Sequence, residues 1–310
     1  MKIAVRIVFL LMVAATVLLY IAVPKNIEIK VASSINAPAL RVAGFLNNPV
    51  AWKKWWPMEQ RMNDTSFRYG KGQYTITVFS ENIVGIRTII DHYAVSGEAT
   101  VAASAADSSI VEWVNHIETG NNLFKKLKWY FAAPLLKTDM SNLLASLKTY
   151  LDKKENIYGM DIRLEKVKDT VLITLKTVLP NYPTTSDIYS MVDRLKSYIQ
   201  LQHAQETNFP MLHVVRKNSA HFETQVAIPT DHALPSNDSF ILKRMFAGKI
   251  LVAEIKGGPA YIANAFNQLE DYRSDNNLAS PAIPFSVLVT DRRKESDTSQ
   301  WVTRLYYPIF

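Results

Sequence analysis

Residues 249–272 read KILVAEIKGGPAYIANAFNQLEDY, and this stretch decides how the C-terminal half of the chain is interpreted. It begins with a short, mostly apolar run of the kind found in β-strands. Gly257-Gly258-Pro259 interrupts the run, and apolar residues then recur at helical spacing, at Ile262, Phe266, Leu269 and Tyr272. The stretch therefore predicts a strand followed closely by a helix.

The same order of elements occurs earlier in the chain, which indicates an internal repeat. The first copy comprises a strand over 169–179, Asn181-Tyr182-Pro183, a helix through 188–199, and strands over 210–217 and 221–229. The second copy adds strands over 284–293 and 300–308 to the stretch quoted above. Pro183 corresponds to Pro259, and the segment 224–229 corresponds to 303–308 at a nearly equal offset. We predict an α+β domain over 156–310 made of two strand-helix-strand-strand copies.

The segment 254–261 (EIKGGPAY) and the closing strand into Tyr307-Pro308 resemble the gyrase-inhibitor-like effector-binding domain, which is also the sensory half of AraC-type regulators. The resemblance implies a cleft shared by the two copies that receives a small molecule. It makes Tyr182, Tyr261 and Tyr306 candidate ligand-binding residues, with packing in the core as the alternative. Arg304 stands where family members often have an acidic residue, and it shares a strand face with Tyr306. An anionic or neutral ligand is therefore expected rather than a cationic one.

Residues 26–155 predict a second α+β domain. A strand at 27–34 leads into a short helix, the tryptophan-rich run AWKKWWP (51–57), an antiparallel meander over 66–118 and a long helix over 122–154. This order, with Ser34-Ile35-Asn36-Ala37-Pro38 and the terminal LLASLKTYLDKKE, resembles the START-like, polyketide-cyclase-type helix-grip (SRPBCC) family. The resemblance implies an apolar tunnel between sheet and helix. Trp56, Trp113 and Trp129 are candidates to line it, and core packing is the alternative reading.

The N-terminal segment, 1–25, predicts a transmembrane signal-anchor. Its central part, 7–23, contains no charge, and as a helix it would span about 26 Å, close to the ~30 Å hydrocarbon core of a bilayer. A cleaved signal peptide is the alternative, although no A-x-A-like site follows the run. The sequence thus predicts a single-pass protein of the inner (plasma) membrane whose soluble domains lie outside the cytoplasm.

The composition of the 310 residues excludes several classes of protein. Apolar residues make up 48% of the chain and no tract is of low complexity, so disorder is excluded. The absence of cysteine excludes disulfides, thiolate metal sites and cysteine catalysis. The net charge of +7 is spread thinly outside the N-terminus, so no nucleic-acid partner is expected.

Catalytic and metal-binding motifs are missing from the sequence. It has no P-loop, no G-x-G-x-x-G, no H-E-x-x-H and no G-x-S-x-G, and its six histidines never fall at i, i+2 or i, i+4. A hairpin turning at Asn218-Ser219 would place His213 opposite Thr224 and His221 opposite Arg216, so the two histidines would not converge on a metal ion. We predict no metal site and no cofactor. Glu223 and Glu254 could act as a general base if an apolar cleft raised their pKa. The alternative is a carboxylate paired with a cation, and Glu254 with Arg304 is a plausible pair.

These observations favour a membrane-anchored, non-catalytic protein that binds small hydrophobic or amphipathic ligands. One alternative is a hydrolase or cyclase that uses Glu223 or Glu254 as its base. The other is a ligand-sensing component of transcriptional regulation, although no helix-turn-helix candidate lies outside the two domains. The binding-site prediction comprises Trp56, Trp113, Trp129, Tyr182, Glu223, Glu254, Tyr261, Arg304 and Tyr306.

Overall fold

The computed structural model describes residues 2–57, 62–80, 82–218, 221–280 and 282–309. The chain divides into two compact units, Met1–Lys153 and Lys154–Phe310. Each unit is α+β and is built around one antiparallel sheet, with six strands in the first unit and eight in the second.

The first unit begins with helix α1 (Lys2–Ala22), whose described side chains from Ile7 to Leu18 are exposed. Among the residues that the structure describes, no helix has both the length and the apolar composition needed to cross a bilayer. The transmembrane anchor predicted for 1–25 is therefore not supported.

A six-stranded sheet and one long helix form the body of the first unit. The sheet order is β1-β6-β5-β4-β3-β2, so the meander closes on the N-terminal strand. Asn122 caps α4 by accepting a hydrogen bond from the backbone of Lys125, and the helix packs against β1. The elements are β1 (Asn26–Ile35), α2 (Ala39–Asn47), α3 (Pro49–Trp55), β2 (Ser66–Tyr69), β3 (Gly72–Phe79), β4 (Ile83–Ile90), β5 (Tyr93–Ala105), β6 (Ser108–Glu118) and α4 (Leu123–Leu151).

The second unit contains the two predicted copies, each preceded by a strand that the sequence analysis did not identify. Its elements are α5 (Lys154–Tyr158), β7 (Arg163–Lys166), β8 (Val171–Leu179), α6 (Thr185–Leu201), β9 (Met211–Asn218), β10 (His221–Pro229), β11 (Phe240–Arg244), β12 (Lys249–Lys256), α7 (Pro259–Asp275), β13 (Phe285–Leu288) and β14 (Val302–Ile309). The sheet order is β11-β8-β10-β9-β13-β14-β12-β7. Corresponding strands of the two copies therefore lie at equal distances from the two edges of the sheet, so the order is palindromic. The extra strands are exchanged, because β7 pairs with β12 and β11 pairs with β8.

The eight-stranded sheet is rolled. β7 and β8 are six strand positions apart, which would be about 29 Å in a flat sheet. Only residues 167–170 join them, and such a linker reaches at most about 17 Å. The corresponding linker 245–248 runs beside it, with hydrogen bonds of 2.9 Å from Val167 N to Gly248 O and from Met245 N to Thr170 O. The two edges of the sheet therefore approach each other, and one face of the sheet is turned inward.

Both long helices of the second unit cover the outer face of this rolled sheet. α6 packs on a core that includes Ile173, Leu212 and Val226, and α7 packs on one that includes Leu251 and Leu305. Because side chains alternate along a strand, the neighbours of these residues point to the inner face. Leu172, Met211, Ala227 and Val287 form a separate buried cluster there.

Strands β9 and β10 pair one residue away from the predicted register. His213 lies opposite Gln225 rather than Thr224, because an irregularity between His221 and Phe222 shifts the ladder. A shift of one residue exchanges the faces of all later partners. His213 and Gln225 consequently share the inner face.

Candidate functional site

The inner face of the rolled sheet encloses two neighbouring cavities. Met211, Met245 and Phe285 line both of them. We call the larger the apolar cavity, of about 530 Å³, and the smaller the polar cavity, of about 320 Å³. The linker 245–248 borders the apolar cavity, and residues 163–169 border the polar one.

The apolar cavity is lined mainly by apolar side chains and by a small number of polar groups. Its apolar lining includes Leu172, Met211, Ala227, Met245, Phe246, Ile283 and Phe285. Lys243 Nζ donates a 3.0 Å hydrogen bond to Gln225 Oε1 at its margin. His213 donates from Nδ1 to the carbonyl oxygen of Pro284 at 2.9 Å, and burial lowers the pKa of this imidazole. The histidine is therefore neutral at pH 7, and the cavity suits a mainly apolar molecule.

The polar cavity brings together three of the predicted residues, Glu254, Arg304 and Tyr306. Arg304 Nε donates to Glu254 Oε2 at 2.7 Å, so the predicted ion pair is present. Tyr306 stacks on Phe285 with ring centroids 5.2 Å apart, and burial raises the pKa of its phenol. Because Glu254 compensates the charge of Arg304, that arginine alone does not make the cavity selective for anions. The expectation of an anionic or neutral ligand stays a prediction.

Glu223 lies outside both cavities and is held by two lysines. Its oxygens lie 2.8 Å from Lys176 Nζ and 2.9 Å from Lys217 Nζ. The hydrogen bonds from both lysines lower the pKa of the Glu223 carboxyl, and that from Lys176 has the larger effect. A general base needs the opposite shift, so the premise of the catalytic hypothesis was wrong for this residue.

The remaining two tyrosines of the prediction lie away from the inner face. Tyr182 precedes α6, is 58% exposed and contacts the ring of Phe222 edge-on at 5.8 Å. Tyr261 lies in the first turn of α7 and is 46% exposed. The structure therefore does not bring Tyr182 and Tyr261 together with Tyr306.

In the first unit, the candidate tryptophans are part of a packed aromatic core. Trp56 lies 5.5 Å from Tyr74, and Tyr74 lies 5.8 Å from Trp113, measured between ring centroids. Trp56, Trp113 and Trp129 are all buried. Within the described residues, Tyr74 Oη and Trp129 Nε1 are buried with no hydrogen-bond partner. These polar atoms are closed off from solvent, so the rings are packed against their neighbours, which is the alternative reading.

Sequence reasoning missed the residues that shape the inner face, above all Met211, Met245 and Phe285. Within the described part of the chain, no group of three or more His, Asp or Glu side chains is arranged to hold a metal ion. The signal that could have found the inner face is the pair of short segments RLEK (163–166) and FILKR (240–244), which precede the two copies at equivalent positions.

Comparisons with known proteins add solved structures of low similarity. The chain matches no family model and no curated protein. The crystal structure of the EcmrR C-terminal domain is 12% identical, with a TM-score of 0.42, and the match covers 49% of this chain and 98% of that one. SAV2435 bound to tetraphenylphosphonium is 12% identical (TM-score 0.33; 49% and 94% covered), and a hydrolase from Listeria innocua is 10% identical (TM-score 0.37; 48% and 92% covered). With TM-scores below 0.5, these likenesses carry no argument about what this chain does.

Proposed function

We propose that this protein binds a small apolar or amphipathic molecule inside the rolled sheet and releases it unchanged. One observation carries the proposal, namely the apolar cavity of about 530 Å³ on the inner face. Cavities of this size that are mostly apolar and contain a few polar groups are typical of small-molecule sites. Gln225 and Lys243 at its margin can orient a polar end of the ligand.

The linker 245–248 offers a route into this cavity. Phe246 in the linker is 87% exposed, although phenylalanine normally contributes to a core. A ligand that displaced the linker would gain contact with this ring, together with Met245 beside it. Binding would therefore bury apolar surface that the free protein leaves in water.

The charges around the inner face support binding rather than turnover. Glu254 is paired with Arg304, and Glu223 is paired with two lysines outside the cavities. The pKa of Glu223 is lowered, and neither Glu223 nor Glu254 lines the apolar cavity. These pairings favour binding over the hydrolase or cyclase alternative.

We also infer that residues 156–310 form a gyrase-inhibitor-like unit and residues 26–155 a START-like unit. The palindromic strand order supports the first assignment, and the meander closed by a long helix supports the second. The inner-membrane location, with soluble domains outside the cytoplasm, stays a prediction. So does the role as a ligand-sensing component of transcriptional regulation.

The proposal is tested by closing the cavity at the linker. Ala247 is exposed and lines the cavity, so Ala247→Trp adds a large ring at the opening without touching the buried cluster. The full chain is titrated with the neutral fluorescent probe N-phenyl-1-naphthylamine. We expect Ala247→Trp to weaken binding about tenfold or more, because a ring that fills the opening removes most apolar contacts of the probe.

Ala145→Trp is the matched control, since Ala145 is exposed on α4 in the other unit. It should leave the affinity unchanged. Wild-type protein that does not bind the probe, or equal affinities for Ala247→Trp and wild type, would refute binding in the apolar cavity.

A further inference from the structure

A third cavity lies on the outer, helix-bearing face of the same sheet, and we call it the outer cleft. It has a volume of about 500 Å³. Ile188 of α6 and Ile262 and Phe266 of α7 form its apolar walls, and Leu212 and Val214 of β9 form part of its floor. It borders the apolar cavity of the inner face at Leu212, His213 and Phe285, which line both.

Arg292 is the unusual residue of the outer cleft. Its guanidinium carbon lies 4.6 Å from the centre of the Trp301 ring, and its Nη2 donates to Thr303 Oγ1 at 3.2 Å. Its backbone N–H donates to Tyr189 Oη at 2.9 Å, which fixes the loop against α6. The side chain is therefore held in place on an aromatic platform before any ligand arrives.

No acidic side chain among the described residues pairs with Arg292. Asp291, which precedes it, and Asp193 of α6 both bind Arg293 instead. Burial lowers the pKa of Arg292, so its surroundings oppose the charge rather than stabilise it. The guanidinium has five N–H donors, and Thr303 is its one hydrogen-bond acceptor among the described residues.

The other charged group that lines the outer cleft is already neutralised. Glu270 accepts hydrogen bonds from Arg273 Nε at 3.0 Å and from the hydroxyl of Tyr307. Mainly the hydrogen bond from Arg273, and to a smaller extent that from Tyr307, lower the pKa of Glu270 to about 2. His213 also lines the cleft, and its lowered pKa leaves it uncharged at pH 7. One uncompensated positive charge, that of Arg292, therefore remains among the described residues that line the cleft.

We propose that the outer cleft is a second binding site, which takes a small monoanion with a flat apolar body and pairs its carboxylate, sulfonate or phosphate group with Arg292. A planar guanidinium matches such oxyanions with two parallel hydrogen bonds. The ring of Trp301 and the walls from α6 and α7 contact the apolar body. This site is separate from the inner-face site of the proposed function and has the opposite charge preference from a site for organic cations.

The experiment titrates the full chain with 8-anilinonaphthalene-1-sulfonate, which carries the ring system of N-phenyl-1-naphthylamine together with a sulfonate. Arg292→Gln should weaken its binding about tenfold or more, since hydrogen bonds to charged groups are worth more than neutral ones. Arg292→Lys keeps the charge without the fork and should recover part of the affinity. Lys294→Gln removes an exposed cation nearby in the same loop and is the matched control, with affinity unchanged.

Two further variants separate the two sites. Ala263→Trp fills the outer cleft from α7 and should abolish binding of the sulfonate, while Ala247→Trp at the inner face should leave it intact. Unchanged binding of N-phenyl-1-naphthylamine to Arg292→Gln reports that this variant is folded. The proposal is overturned if Arg292→Gln binds the sulfonate as wild type does, if Lys294→Gln loses as much affinity, or if Ala263→Trp has no effect. None of these results bears on the apolar cavity, whose test is Ala247→Trp with the neutral probe.

Discussion

Replacing Gly97 by alanine tests how tightly the first unit is packed around Asn115. Gly97 lies in β5 opposite Asn115 and faces the space between the sheet and α4. A Cβ built at this position would be 1.7 Å from Asn115 Oδ1 and 2.5 Å from the carbonyl oxygen of Val114. The added methyl group therefore requires Asn115 to move.

The size of the effect follows from what Asn115 contacts. It is fully buried, its Oδ1 accepts a 3.2 Å hydrogen bond from Trp113 Nε1, and its Nδ2 lies 3.4 Å from Met140 Sδ. Losing these bonds in a buried site costs about 1–3 kcal/mol, and forcing an extra methyl group into a packed core costs about 1–3 kcal/mol. We therefore expect Gly97→Ala to lower the free energy of unfolding by about 3 kcal/mol.

Urea unfolding followed by tryptophan fluorescence measures this change, because five of the six tryptophans are in the first unit. Gly44→Ala is the matched control. Gly44 is exposed within α2 and a Cβ there meets no atom within 4 Å, so its replacement should stabilise by about 0.5–1 kcal/mol through helix propensity. If the free energy of unfolding of Gly97→Ala lies within roughly 0.5 kcal/mol of the wild-type value, the surroundings of Asn115 are not packed as described.

Two further predictions concern charged groups. The amine of Lys126 donates to the carbonyl oxygens of Tyr20 and Val23, at 2.8 and 2.6 Å, near the end of α1. Lys126→Met should therefore lower the free energy of unfolding by about 1–3 kcal/mol and speed hydrogen exchange in that helix. Lys125→Met is the control and should do neither. Glu270, with its pKa lowered from 4.5 to about 2, stabilises the fold above pH 4.5, and this contribution is lost as the pH falls to 2. Because its side chain is 45% exposed, solvent screening reduces the contribution to about 1 kcal/mol, and Glu270→Gln should remove that part of the acid-induced loss of stability in denaturant titrations at pH 2–5. An unchanged pH dependence would show that the hydrogen bonds from Arg273 and Tyr307 do not act on the carboxylate as described.

The repeat in the second unit could be predicted because its evidence is local. Each copy has a strand, a turn with proline and a helix in fixed order, and corresponding segments recur at nearly equal offsets along the chain. The exchanged strands β7 and β11 could not be predicted in the same way. They are short, mostly exposed and rich in charge, as edge strands commonly are, so they lack the apolar pattern on which strand prediction depends.

Side-chain environment explains the remaining differences. Clustered tryptophans are equally compatible with lining a tunnel and with filling it, because cavity volume depends on contacts between distant segments such as Trp56, Tyr74 and Trp113. Arg292 and Arg293 are consecutive arginines, so the sequence does not distinguish them. Within the described residues, however, Arg293 forms ion pairs with two acidic side chains and Arg292 with none. Pairing of charges is a tertiary property, so the sequence could identify Glu254 with Arg304 only as a plausible pair.

The exchange of edge strands also explains why the inner face forms cavities. Each copy alone would leave a short edge strand and an open sheet, which could not enclose a cavity. Because β7 completes the sheet beside β12, and β11 completes it beside β8, the linkers 167–170 and 245–248 lie side by side across the gap. Val167 and Met245 begin these linkers and line the two cavities together. A ligand that displaced one linker would therefore have to break its hydrogen bonds to the other linker.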